Sequence, residues 1–243
     1  MTTRPSSTTS LPETFGTLGV SARRLAAGAG PGGGAGGDLH GVVDTPYGTR
    51  LLIGDVMGKG DVRGNGAELS RTADVVLRTW RRLACVQRTL EVLAVRLHSL
   101  VAHSEEPDRF VTATLVTVAP DGSAEVVCCG HPSPLLIRDG AAVPAAVPAP
   151  APPLGLLDLA RGWCGAERIS ATAWDRMLLH TDGATEARDA DGESYPLAER
   201  ATELSTLPLA PFTAALSADL LHHAGGGLQD DATLLALEPN SAH

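Results

Sequence analysis

One stretch of this 243-residue chain, from Ala67 to Ser104, contains no glycine or proline. The absence of helix-breaking residues there limits the folds that the chain can adopt. Apolar residues recur there at helical spacing, which predicts two helices. Strand-like segments come before and after this stretch, and a further amphipathic helix from Pro211 to His223 precedes the last strand. The order predicts an α+β domain in which antiparallel sheets pack together and are covered by helices.

The strand predictions rest on β-favouring residues bounded by turn chemistry. Phe110 to Val118 and Ala124 to Cys129 flank the turn Pro120-Asp121-Gly122, so they are predicted to form an antiparallel hairpin. Further strands are predicted at residues 20–25, 39–44, 50–55, 167–170, 176–180 and 232–237. The Pro/Ala-rich stretch from Ala141 to Pro153 is predicted to be a loop.

Composition sets the domain boundaries. Residues 1–17 are rich in Ser, Thr and Pro without an apolar period, so we expect a disordered leader. A single domain is expected over residues 18–239, followed by a tail at 240–243. Gly28 to Gly37 is expected to be a flexible connector between two strands.

Charge and hydropathy exclude two classes of partner. The net charge is -9, and the basic residues form no cluster that could follow a phosphate backbone, so we expect no nucleic-acid partner. The chain has no signal segment and no apolar run long enough to cross a bilayer, which predicts a cytoplasmic protein without membrane insertion. The adjacent Cys128 and Cys129 would point to opposite faces of a strand, so the cysteines are expected to be reduced thiols.

Three aspartates stand at the ends of apolar segments. Asp55 ends RLLIGD, Asp182 follows RMLLH within Thr181-Asp182-Gly183, and Asp230 comes before ATLLAL. Strand ends in one sheet can meet, and carboxylates brought together require a counter-charge. Oxygen ligands without a His/Cys set favour Mg²⁺ or Mn²⁺ over zinc. The alternative is that each acid supports a turn, and the spacing alone leaves both interpretations open.

A metal site of this kind has a natural reaction. Two divalent ions about 3.5 to 4 Å apart can activate a water molecule and hold a phosphoryl group for in-line displacement. The sequence therefore indicates hydrolysis of a phosphate ester.

Six separated motifs occur in order: GGDLHGVV, LLIGDVMGKG, CCGHPSPLLIRDG, PLGLLD, LLHTDGATEARDADGE and DDATLLAL. Together they resemble the SpoIIE-like branch of the PPM (PP2C-type) phosphatases, over approximately residues 18–238. The resemblance implies a four-layer α-β-β-α sandwich of two mainly antiparallel sheets flanked by helices.

The resemblance also implies a ligand set for two Mn²⁺ or Mg²⁺ ions. Asp55 would bridge both ions, Asp182 and Asp230 would complete one site, and Asp38 with the Val56 carbonyl would serve the other. Asp55 and Asp182 are thus the expected catalytic residues, and Asp231 is expected to support the site. The chain departs from the family pattern at Gly41, where a second acid is common.

Three further residues are candidates for substrate binding. Lys59 and Arg63 follow the bridging acid and could attract phosphate, although the alternative is that they are solvated loop charges. His131 lies in CGHP, where a histidine is more often structural. Met57 stands where eukaryotic-type relatives have a histidine that protonates the leaving group, so that role has no assigned residue.

The resemblance implies a protein serine/threonine phosphatase that uses a metal-bridged hydroxide. For this branch, the implied substrate is a phosphorylated anti-sigma-factor antagonist. Three alternatives stay open: a catalytically silent binding module, a catalytic fragment that requires a sensor or partner, and a hydrolase of small phosphate esters. The oligomeric state is not indicated.

Overall fold

The protein folds into two antiparallel sheets with helices on both outer faces. The structure, a computed structural model, describes residues 13–27, 36–58, 66–104, 108–147, 150–159 and 165–240. The strands are β1 (Glu13–Phe15), β2 (Leu18–Leu25), β3 (Leu39–Thr45), β4 (Gly48–Gly58), β5 (Arg109–Val118), β6 (Ala124–Cys129), β7 (Leu135–Arg138), β8 (Ala141–Pro144), β9 (Glu167–Ile169), β10 (Arg176–His180) and β11 (Ala232–Pro239). The helices are α1 (Gly66–Ala84), α2 (Leu90–Ala102), α3 (Asp182–Thr185), α4 (Leu197–Glu203) and α5 (Leu209–His223), with 3₁₀ turns at Leu157–Leu159 and Ala171–Ala173.

The strands divide between the sheets without following chain order. Sheet A has the order β1-β2-β11-β10-β7-β8, and sheet B has the order β3-β4-β5-β6-β9. Every pairing within these sheets is antiparallel. The predicted α-β-β-α sandwich is confirmed.

Alternation along the strands creates three apolar layers, because successive side chains point to opposite faces. In β4, Leu51 and Ile53 enter the core between the sheets, whereas Leu52 and Val56 pack beneath α1 and α2. Cys128 and Cys129 likewise enter different cores, as predicted for adjacent strand residues. The third layer lies between sheet A and helices α3 to α5.

The helices bury one face each. Trp80 of α1 and Leu93 of α2 are fully buried against sheet B, and Phe212 of α5 is fully buried against sheet A. None of the helices in the described ranges has the length and apolar character needed to cross a membrane.

The structure differs from the sequence predictions in three places. First, β4 continues past Asp55 to Gly58 because β5 is long enough to pair with it throughout, so Asp55 lies inside the strand. Second, Ala141–Pro144 is a strand paired with β7, not a loop. Third, Glu13–Phe15 of the predicted leader pairs with β2. Residues 1–12 and 241–243, and most of the predicted glycine connector, lie outside the described residues.

A buried arginine joins β4 to the end of α1. Arg50 is 1% exposed, and its guanidinium donates hydrogen bonds to the carbonyl oxygens of Ala84, Gln87 and Arg88 at 2.6 to 2.9 Å. Carbonyl groups at a helix C-terminus lack intrahelical partners and attract positive charge. Arg50 therefore fixes the last turn of α1 and the following loop to sheet B.

Replacing this arginine tests its contribution. We expect Arg50→Met to lower the free energy of unfolding by about 3 kcal/mol, because three carbonyl groups lose a charged donor. Arg82→Ala, at an exposed position of α1, should change it by less than about 0.5 kcal/mol. Urea denaturation of both variants measures the difference, and equal midpoints would contradict this role.

Candidate metal centre

Four aspartates from both sheets form a carboxylate cluster at one end of the space between the sheets: Asp38, Asp55, Asp182 and Asp230. Asp55 shares its strand face with Leu51 and Ile53, so its side chain points between the sheets. Asp38 comes directly before β3, Asp182 is the first residue of α3, directly beyond β10, and Asp230 precedes β11. The charges of Asp38, Asp230 and Asp182 all act on Asp55.

Asp38 connects sheet B to the ends of two strands of sheet A. Its Oδ2 accepts hydrogen bonds from the hydroxyls of Thr181 at 3.1 Å and Thr233 at 2.6 Å. Thr181 Oγ1 also accepts a hydrogen bond from the Thr233 amide at 2.8 Å. Thr181, which directly precedes Asp182, and Thr233, three positions after Asp230, therefore orient the acid before β3.

The cluster carries unbalanced negative charge. Burial, followed by the charges of Asp38, Asp230 and Asp182, raises the pKa of Asp55 to about 8. Burial also raises the pKa of Asp38 to about 7, although the hydroxyls of Thr233 and Thr181 oppose the rise. A bound divalent cation would remove this cost, because an opposite charge favours the ionised form.

The donor set fits a hard cation. The cluster offers carboxylate oxygens, the ligands preferred by Mg²⁺ and Mn²⁺. The chemistry of the site therefore suits a divalent cation. Within the described ranges, however, no group of three or more His, Cys, Asp or Glu side chains is arranged closely enough to hold an ion.

Glycines allow the backbone to approach the cluster. A Cβ atom at Gly37 would lie 2.3 Å from Asp55 Oδ1 and 2.6 Å from the Val56 carbonyl oxygen. The Val56 amide donates a hydrogen bond to the Gly37 carbonyl at 3.2 Å. The loop before Asp38 thus lies against both the predicted bridging acid and the predicted carbonyl ligand.

Asp231 holds the surrounding loops in place. Its two carboxylate oxygens accept hydrogen bonds from Arg24 at 2.7 Å and from the Ala27 amide at 2.8 Å. Arg24 also donates to the Gly36 carbonyl at 3.3 Å. These contacts agree with a supporting role for Asp231. Sequence reasoning missed Arg24, because nothing near it in the chain indicates a partner 207 positions away.

The substrate-binding candidates are placed differently. Lys59 and Arg63 lie outside the described residues. His131 is 6% exposed, and its Nδ1 lies 3.1 Å from the Thr112 hydroxyl, which donates to the Asp55 carbonyl at 3.4 Å. Burial, with His180 nearby, lowers the pKa of His131 to about 3. This location favours bracing of β4 over contact with a substrate, and the substrate role stays a prediction.

The raised pKa values predict how stability depends on pH in the metal-free protein. An unfolded carboxyl titrates near 3.8, whereas folded Asp38 and Asp55 titrate near 7 and 8. Between these values the folded state retains protons that the unfolded state has lost, so stability falls as pH rises. The loss is at most about 1.4 kcal/mol per pH unit for each carboxyl.

Thermal melting in chelator at pH 5 and pH 8 measures this loss. We expect Asp55→Asn to melt at a higher temperature than wild type at pH 8 but not at pH 5, and Mn²⁺ to raise the wild-type value at pH 8. Asp74→Asn, at an exposed position of α1, is the control. A stability difference between wild type and Asp55→Asn that does not change with pH would contradict the repulsion argument.

Substitution of Gly183, the glycine after Asp182, provides a second test of the site. A Cβ atom at Gly183 would lie 2.0 Å from the Asp231 carbonyl oxygen, so Gly183→Ala must displace α3 or β11. We expect a loss of stability of about 2 kcal/mol and weaker Mn²⁺ binding. Gly227→Ala is the matched control, since nothing lies within 4 Å of its Cβ position. Calorimetric titration and thermal melting measure both effects, and equal behaviour of the variants would count against this packing.

Comparison with known proteins places the fold in a family. The chain matches the family described as stage II sporulation protein E (SpoIIE) over residues 45–240. A search of curated proteins gave no significant match.

Several solved structures share the fold. The RsbU and RsbW domains of Rv1364c from Mycobacterium tuberculosis match with a TM-score of 0.74 and 21% identity, over 93% of this chain and 61% of that one. The PP2C phosphatase domain of SpoIIE from Bacillus subtilis, with a fragment of its regulatory domain, matches with a TM-score of 0.70 and 15% identity. The match covers 94% of this chain and 64% of that one.

A third structure is the catalytic domain of the serine/threonine protein phosphatase PstP, in complex with two manganese ions. It matches with a TM-score of 0.61 and 19% identity, over 91% of this chain and 97% of that one. The present chain spans less than two thirds of the length of the first two structures. Because the family match covers most of the chain and the fold agrees with PP2C-type structures, the chain belongs to the SpoIIE-like branch of the PPM (PP2C-type) family.

Proposed function

We propose that the chain is a metal-dependent protein serine/threonine phosphatase. The observation that carries the proposal is the convergence of four carboxylates on one region, where burial and the charges of the other three acids raise the pKa of Asp55. An acid that only supports a turn is typically exposed and paired with a nearby amide. Asp230 is exposed and accepts from the Asp231 amide, and the partly buried Asp182 accepts from the Gly183 amide. Asp38 and Asp55 differ from this pattern, because each is only 6% exposed. The similarity to a PP2C-type structure with two manganese ions supports the same conclusion.

The proposed roles follow the ligand set implied by the sequence. Asp55 would hold two Mn²⁺ or Mg²⁺ ions together, with Asp182 and Asp230 on one and Asp38 and the Val56 carbonyl on the other. When bound, such ions supply Lewis acidity and lower the pKa of a coordinated water. The protein would orient Asp38 through its two hydrogen bonds and shield Asp38 and Asp55 from bulk water by burial.

The proposed substrate is a phosphorylated anti-sigma-factor antagonist, and the reaction is hydrolysis of its phosphoserine or phosphothreonine. The substrate class rests on the family resemblance, and the similar structures include the RsbU and RsbW domains of Rv1364c and the phosphatase domain of SpoIIE with a fragment of its regulatory domain. The cytoplasmic location stays a prediction. A catalytically silent binding module is the second candidate. It would keep the fold and dock a regulatory partner.

The proposal predicts activity that depends on both metal and aspartates. With Mn²⁺, wild type should release phosphate from a phosphorylated antagonist, and chelator should abolish this release. Asp55→Asn and Asp182→Asn should reduce kcat/KM on the order of a hundredfold or more. Asp74→Asn is the matched control, because it removes a carboxylate from an exposed position of α1 whose charge is not among those that act on Asp38 or Asp55. The measurement is the amount of inorganic phosphate released in samples quenched at successive times.

The outcomes separate the candidate functions. Wild type without activity on any phosphate ester, despite bound Mn²⁺, would support the silent module. Activity on a small aryl phosphate without activity on phosphoproteins would identify a small-ester hydrolase. Undiminished activity in Asp55→Asn and Asp182→Asn would exclude the metal site.

A further inference from the structure

A cleft beside the carboxylate cluster has no role in the proposed reaction. It has a volume of about 450 Å³ and opens between the β7–β8 hairpin and α4. Leu135 and Leu197 form its floor and are 4% and 3% exposed. Pro144 and Pro196 line its walls and are exposed to solvent. We refer to it as the Leu197 cleft; it offers a surface for aliphatic groups that is open to solvent.

The Leu197 cleft adjoins the proposed metal site. His180 and Thr185 line one end of it, and these residues lie two positions before and three positions after Asp182. The Thr185 hydroxyl donates a hydrogen bond to the Asp182 carbonyl at 3.1 Å. A peptide whose phosphoresidue reaches Asp182 would therefore place a neighbouring side chain over the cleft.

One negative charge stands among the cleft's lining residues. Glu199 of α4 is exposed, and no salt bridge among the described residues engages it. The next residue, Arg200, is already held by Asp219 at 2.6 Å and by Glu203. The cleft thus combines apolar walls with an uncompensated carboxylate in a chain of net charge -9.

We propose that the Leu197 cleft binds an arginine or lysine side chain close to the phosphoresidue of the protein substrate. The methylene groups of such a side chain would pack on Leu135 and Leu197, and its cationic head would reach Glu199. An acidic side chain would be repelled, and an apolar one would gain only the packing on Leu135 and Leu197. This inference rests on the proposed function, because it names a specificity determinant of the same site.

Selectivity should come from both parts of the side chain. An exposed ion pair contributes little by itself, so the packing of the methylene groups must add to it. We expect one flanking position at which arginine improves kcat/KM over leucine by roughly threefold to tenfold. Glutamate at that position should be worse than leucine.

The experiment uses phosphoserine peptides that carry Arg, Leu or Glu at each of the three positions on either side of the phosphoresidue. They are compared with p-nitrophenyl phosphate, which is too small to occupy the metal site and the Leu197 cleft at the same time. Glu199→Lys should lose the preference for arginine and prefer glutamate, while its activity on p-nitrophenyl phosphate stays that of wild type. Asp74→Lys makes the same change in net charge on the opposite outer layer and should keep the wild-type preference.

Binding of the same peptides, labelled and measured by fluorescence anisotropy, tests the cleft without requiring turnover. Equal preferences in wild type, Glu199→Lys and Asp74→Lys would overturn the proposal while leaving the phosphatase function intact. A leucine preference in wild type would assign an apolar occupant and likewise overturn it. Absence of hydrolysis with Mn²⁺, together with an arginine preference in binding that Glu199→Lys removes, would overturn the phosphatase function and retain the cleft.

Discussion

The hydrogen bonds of Asp38 to Thr181 and Thr233 are the interaction on which the site depends. They join the loop that enters sheet B to the ends of β10 and β11 in sheet A. Most of the contact between the two sheets is apolar packing, which is not directional, and the hydrogen bonds from Gly16 to Asp44 and from Thr49 to Phe15 join them at the opposite end of β3. A polar contact with fixed geometry therefore aligns the sheets at the end where the carboxylates gather. It also opposes the rise in the Asp38 pKa that burial causes.

Local sequence patterns predicted the long elements well, because their periodicity reflects burial on one face. Both helices of the glycine-free stretch, the β5–β6 hairpin and α5 are present near their predicted bounds. The short elements β7, β8 and α4 were not predicted. β8 lies in a Pro/Ala-rich stretch that is typical of a loop, and β7 and α4 show no clear apolar period of their own. These segments become strands or helices because they pack against other elements of the fold, and their own sequences do not indicate which elements those are.

Some residues of the candidate site could be predicted from local sequence, and others could not. Asp55, Asp182 and Asp230 could be found because each stands at an end of an apolar segment with glycine nearby, whereas Asp38 joined the set through the resemblance of the motifs. The threonines that orient Asp38 stand within those motifs but act across 143 and 195 positions of chain. Arg24 has no local signal at all, although it ties Asp231 to the loop before Asp38. Contacts at such separations arise from the fold and not from neighbouring residues.

The position of Asp55 inside β4 has a consequence for how the chain can vary. Seven residues of β3 and ten of β5 fix the register of β4 on its two edges. Arg50 and Asp55 use opposite faces of the strand, one toward α1 and the other between the sheets. A single insertion or deletion between them would turn one of the two to the wrong face. Length changes among relatives should therefore fall outside this segment, and its five-residue spacing should persist even where the surrounding sequence diverges.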